Sequence, residues 1–176
     1  MFEYFSYKFR PQFLFLIHAI IKHKICIFTA GFNLNFSIVF AEILNHISNH
    51  ISLTPSEEEE FTGLLSLVRI PKGEYLVEPG AAVTSEYYVV KGCLKAFYLD
   101  ESGHEHIIQF AIEDWWITDF EAFFSGSAAN LHVEAIEDSV VLGLDKTALE
   151  ALYKRIPKFE RFFRIKTTGA FVSLRA

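Results

Sequence analysis

No lysine or arginine stands anywhere between Lys95 and Lys146. A phosphate seated among those residues would find no side-chain cation, and burying an unpaired charge is costly. Cysteine is almost as scarce. Cys26 and Cys93 are the only two, and they suit neither a zinc or iron–sulfur spacing nor a disulfide framework. A reducing compartment, the cytoplasm, is the expected location. Long apolar runs are missing too: Phe13–Ile21 contains His18 and meets Lys22, His23 and Lys24, whereas a membrane-spanning helix needs roughly 20 apolar residues. Lys8 and Arg10 precede that run, but no small-x-small cleavage site follows cleanly, so no membrane role is expected. There is no Ser/His/Asp order, Gly-rich phosphate loop or paired-carboxylate spacing, so neither an enzyme nor a bound cofactor is expected.

What is present is globular. Of 176 residues, 51% are hydrophobic and 16% aromatic, with 19 phenylalanines, enough for one domain with a sizeable core. The net charge of -6 conceals a division. Acids dominate residues 51–150, which hold Arg69, Lys72, Lys91, Lys95 and Lys146 as their only bases. Beyond residue 150, Lys154, Arg155, Lys158, Arg161, Arg164, Lys166 and Arg175 face Glu160 alone. An acidic body does not attract nucleic acid, and the basic end reads as the charged face of a helix packed on that body.

Order begins near Phe40. Phe40, Ile43, Leu44, Ile47 and Ile51 fall on one helical face. Thr54-Pro55-Ser56-Glu57 is a helix start with a capping box, and Phe61, Leu64, Leu65 and Val68 are read as that helix's inner side. Then Gly73, Gly80, Gly92 and Gly103 punctuate short blocks rich in β-branched and aromatic residues: YLV, EYYVV, CLKAFYL and EHIIQFAI. Such spacing indicates an all-β sandwich or roll. Phe110–Ala135 reads as a strand, a short helical segment, a small-residue loop and another strand. VEAIEDSVVLGLD supplies two strands, Asp145 caps a helix with Ala148, Leu149, Leu152 and Tyr153 on its apolar face, and Pro157 separates it from a last helix, Phe159–Leu174.

In the order and spacing of LTPSEEEEF, VEPG, YYVVKGCLKAFYLDESGHE and DKTALEALYKRIPKF, residues 40–176 resemble the sensor half of a Crp/Fnr-type transcription regulator. The resemblance implies a mainly β fold with flanking helices, a double-stranded β-helix jelly roll of the cyclic-nucleotide-binding kind. It divides the chain into an atypical extension (1–38), two leading helices (39–66), the roll (67–145) and C-terminal helices that begin a dimerisation helix (146–176). It also implies a small-molecule effector, homodimerisation through the C-terminal helix and a helix-turn-helix domain. That last domain has no counterpart here, so a chain truncated before it, without DNA binding of its own, is expected. In nucleotide-binding members a Gly-Glu pair opens the phosphate cassette and an Arg-Ser/Thr-Ala run closes it. These fall on Thr118-Asp119 and on Ala129-Asn130-Leu131, so the cassette is degenerate and cyclic AMP is not expected to bind.

Trp116, Asp119, Phe120, Glu121, Asn130 and His132 are the candidate ligand residues. Trp115, Trp116, Phe120, Phe123 and Phe124 could line an apolar pocket, though such aromatics more often fill a core, and Asp119 and Glu121 also read as exposed residues at a helix end. The rival is a cupin-like metalloenzyme. His104 and His106 share a strand face and, with His132 and Glu113, resemble a metal set, but the later Glu and His of a cupin are absent. His46 and His50, four apart on a helix, read as its polar face, and no metal site is expected.

Overall fold

A computed structural model describes residues 36–173. The expectations for residues 1–35, including the apolar run and Cys26, lie outside the described residues. Helix α1 (Phe36–Ser48) starts four residues before the expected Phe40. Its fully buried stripe is Val39, Ile43 and Ile47, continued by Ile51 just past the helix. Helix α2 (Pro55–Thr62) has its capping box formed: the Thr54 amide donates to Glu57 Oε2 at 2.7 Å, and the Glu57 amide donates to Thr54 Oγ1 at 3.3 Å. Phe61 is the buried residue of this helix and stacks on Phe159 at 4.7 Å.

The helix does not continue through Leu64, Leu65 and Val68. It stops at Gly63, and Leu65–Ile70 is strand β1. The spacing of Phe61, Leu64, Leu65 and Val68 suits a helix. However, six residue pairs with a later strand outweigh that local preference.

Seven further strands follow: β2 (Tyr75–Val77), β3 (Ser85–Lys91), β4 (Leu94–Leu99), β5 (Glu105–Ala111), β6 (Trp116–Ile117), β7 (His132–Ala135) and β8 (Ser139–Asp145). They form two antiparallel four-stranded sheets, ordered β1-β8-β3-β6 and β2-β7-β4-β5. This is the expected jelly roll. The interleaved order makes each sheet collect strands from both ends of the sequence. The core lies between them, with Val89, Ile117 and Val141 from one sheet meeting Leu94, Ala96, Ala111, Val133 and Ala135 from the other. Strand β8 is buried at every position from Ser139 to Leu144. The β3–β4 turn is set by Gly92, at φ 103°. A Cβ there would lie 2.8 Å from Ser139 Cα, so no side chain fits.

Between β6 and β7 sits helix α3 (Phe120–Ser125). After β8, Asp145 caps helix α4 (Lys146–Arg155), accepting from the Thr147 and Ala148 amides at 2.8 and 3.2 Å. Helix α5 (Lys158–Ser173) then buries Phe159, Phe162 and Phe163. The basic residues here do meet the acidic body: Arg155 pairs with Glu60, and Lys158 with Glu57 at 2.8 Å. Both pairs are largely exposed and contribute little stability. None of the described helices is long and apolar enough to cross a membrane.

Candidate functional site

A cavity of about 320 Å³ opens where β4 and β5 face the segment 118–121 and the loop before β7. Its walls are Ala96, Ile108, Gln109, Thr118, Asp119, Phe120, Glu121, Asn130 and Leu131. Ala96 and Ala111 point inward from paired strands, so Gln109, two residues before Ala111, shares the inward face.

Asp119 organises one wall. It is 2% exposed, not at an exposed helix end as the sequence suggested. Oδ1 accepts from the Ala122 amide at 3.1 Å, capping α3. Oδ2 accepts from the amides of Asn130 and Leu131, at 2.8 and 3.0 Å. One short side chain therefore ties the start of α3 to the loop eleven residues later, and its charge is satisfied by backbone donors. Glu121, in the first turn of α3, is exposed as expected, and Asn130 is exposed beside it. Phe120 is half-buried and stacks on Phe124 at 6.2 Å.

Trp116 and His132 do not line this cavity. With β6 only two residues long, the sequence alone does not set which face each tryptophan takes. Trp115 is 40% exposed, while Trp116 is buried against Tyr88 and Phe163 of α5, with ring centroids 5.5 and 5.3 Å away. His132 stacks on Phe97 at 4.9 Å and tilts against Tyr75 at 5.6 Å. Phe123 is core and Phe124 is exposed.

The lysines at either end of the cation-free stretch are committed elsewhere. Lys95 pairs with Glu105 at 2.6 Å and Glu134 at 3.2 Å and lies over the Phe97 ring. Lys146 donates to the carbonyls of Phe123 and Phe124 at 2.7 and 2.8 Å, satisfying the carbonyl end of α3. No lysine or arginine is among the cavity's lining residues.

The described histidines are engaged in other contacts. His106 Nε2 lies 2.8 Å from Asp100 Oδ2 and His104 Nδ1 2.6 Å from Ser102 Oγ, all in the β4–β5 hairpin. The Ser102 hydroxyl, followed by His106 and the His104 amide, holds Asp100 below the usual carboxylate range. Glu113 instead accepts from the Gly92 amide at 3.3 Å. His46 and His50 pack edge to face, 5.8 Å apart, and both contact Phe162. Among the described residues no group of three His, Cys, Asp or Glu side chains is placed to hold a metal.

Five lining residues were absent from the sequence-based set: Ala96, Ile108, Gln109, Thr118 and Leu131. The two polar ones are fastened to the backbone behind the wall. Gln109 Nε2 donates to the Trp116 carbonyl at 2.8 Å, and Thr118 Oγ1 donates to the Ser85 carbonyl at 2.9 Å. Strand alternation counted back from Ala111 would have marked Gln109. Thr118 and Leu131 are marked by the sequence only as cassette positions, not as candidate ligand residues.

The family model for the cyclic nucleotide-binding domain matches residues 67–156. Solved structures share the fold. The sensor domain of the transcriptional regulator DNR from Pseudomonas aeruginosa aligns with a TM-score of 0.62 at 21% identity, covering 81% of this chain and 95% of that one. The catabolite activator protein of Thermus thermophilus aligns with a TM-score of 0.56 at 18% identity, covering 70% of this chain. This chain spans only 60% of the length of that activator. The regulatory subunit of a cAMP-independent protein kinase A from Trypanosoma brucei aligns with a TM-score of 0.58 at 18% identity, over 75% of this chain and 46% of its own. No curated protein matches the sequence.

Proposed function

Because the chain belongs to the cyclic nucleotide-binding domain family, we propose that it is the noncatalytic effector-sensing domain of a Crp/Fnr-like transcription regulator, whose cavity takes a small molecule other than a cyclic nucleotide. One observation carries the reading. The Asn130 and Leu131 amides, which fall where the resemblance puts the end of the phosphate cassette, already donate to the Asp119 carboxylate. An incoming phosphate would have to displace that carboxylate without a cation to compensate it, and the two negative charges would repel. The trypanosomal neighbour belongs to a protein kinase A described as cAMP-independent.

In this reading Asp119, Phe120, Glu121 and Asn130 meet the effector from the cavity wall, joined by Gln109 and Thr118. Trp116 and His132 support the wall from behind. The exposed Phe171 and Val172 on α5 are the contact for a second copy, and the acidic roll leaves DNA unbound. The same assignment places the chain in the cytoplasm. Sedimentation checks two of these points together: the chain is expected to self-associate with rising concentration and not to co-sediment with duplex DNA.

The test of the effector assignment is calorimetry with cyclic AMP. No saturable heat is expected up to about 1 mM nucleotide. Stoichiometric binding in the micromolar range would overturn it.

A further inference from the structure

A buried ion pair lies beyond the cavity, where α5 meets the roll. The Lys166 ammonium is buried although 18% of its side chain reaches solvent. It sits 3.5 Å from Glu86 Oε2, 3.5 Å above the Trp116 ring and 4.8 Å from that of Phe163. Glu86 itself is 2% exposed. Lys166 Nζ, Glu86 Oε1 and Trp116 Nε1 all lack a hydrogen-bond partner among the described residues. Burial pushes the Lys166 amine down to about 7, and it raises the Glu86 carboxyl, each only partly offset by the other. His46 approaches Lys166 from α1, and Tyr153 approaches Glu86 from α4.

Well-packed apolar residues of similar volume often serve such a position as well as an ion pair does, or better. A pair kept under those conditions, with incomplete hydrogen bonding, gains little from staying buried.

Two hydrogen bonds join the cavity to this pair. Gln109 holds the carbonyl of Trp116, whose ring lies under Lys166. Thr118 holds the carbonyl of Ser85, the residue before Glu86. The polar wall of the cavity and the seat of Lys166 are therefore fixed to the same two stretches of backbone.

We propose that Lys166 is the regulatory contact that passes the state of the cavity to α5. This rests on the cavity being an effector site. A ligand that draws Gln109 or Thr118 toward itself shifts Trp116 and Ser85. Lys166, whose contact with Glu86 is as long as 3.5 Å, then leaves Glu86 for water and loosens the helix beyond Phe163. Coupling of this kind needs an element with two states that both sites bias, and the lysine supplies it.

A mutant cycle read by hydrogen exchange of the α5 amides tests this. Thr118→Val is made in the natural chain and in a Lys166→Met/Glu86→Met background. It is expected to speed α5 exchange roughly tenfold in the first and to leave the second unchanged. Equal acceleration in both backgrounds, or none in the natural one, overturns the proposal. If Thr118→Val does not fold, Gln109→Leu carries the same cycle with the same two outcomes. The cycle uses no ligand, so its failure rejects the coupling whatever the cavity binds. Cyclic AMP binding by calorimetry would reject the reading of the cavity and leave the coupling standing.

Discussion

Replacing Lys166 alone with methionine is expected to lower stability by about 3–5 kcal/mol, because it strands a buried carboxylate. Replacing Lys166 and Glu86 together with methionine is expected to leave stability unchanged or raise it by about 1–4 kcal/mol. The difference comes from desolvation. Glu86 has one oxygen 3.5 Å from the ammonium and the other without a hydrogen bond among the described residues. The charges attract each other but recover only part of the hydration both have lost. Urea unfolding of the two variants beside the natural protein decides the matter. A single substitution as mild as the double one would show that the pair is not buried as described.

The same pair fixes a pH signature. Depression of Lys166 to about 7 means that, up to the ordinary lysine value of 10.5, the unfolded chain binds more protons than the native one. Native stability from this group therefore rises with pH across that window. Glu86, raised above 4.5, works the other way: its contribution is present in acid and is lost as pH rises through its native value. The two trends oppose each other, and the double methionine variant is expected to lack both.

The second large effect belongs to Asp119. Asp119→Ala removes the acceptor for three backbone amides, those of Ala122, Asn130 and Leu131. A charge-assisted bond of this type contributes roughly 1.5–3 kcal/mol, and a buried amide left without a partner costs roughly 1–3 kcal/mol. The bonds share one carboxylate and are not additive, so a loss of about 3–5 kcal/mol is expected, with Asp119→Asn losing about 1–3 kcal/mol. Chemical unfolding measures both. A loss below about 1 kcal/mol for the alanine variant would mean that the loop finds other acceptors and that Asp119 is not its anchor. The alanine variant should also give faster amide exchange at Asn130 and Leu131, since those amides lose the acceptor that protects them.

How far the sequence carried this picture depended on the range of the interaction involved. Caps were legible because they are local. Thr54, Pro55 and Glu57 announce α2 within four positions, and Asp145 announces α4. Most strands were legible because alternation and turn glycines repeat at short range. Strand β1 was not, because Phe61, Leu64, Leu65 and Val68 satisfy a helical period and only distant pairing with β8 settles the matter. Strand β6 is too short for any period to show, so the faces of Trp115 and Trp116 stayed undetermined, and Trp116 lies outside the cavity lining. Asp119 was singled out and does line the cavity, but its burial depends on two amides in the loop before β7. The Lys166–Glu86 pair spans eighty positions and leaves no sequence signal at all.

Those two amides also give the most direct test of the central claim, that the phosphate position of the cassette is already filled by the chain's own carboxylate. The measurement is the amide resonances of Asn130 and Leu131 during titration of the natural protein with cyclic AMP. The account predicts that both stay in place up to about 1 mM nucleotide. Saturable movement of both resonances, with the Asp119 carboxylate displaced, would contradict it.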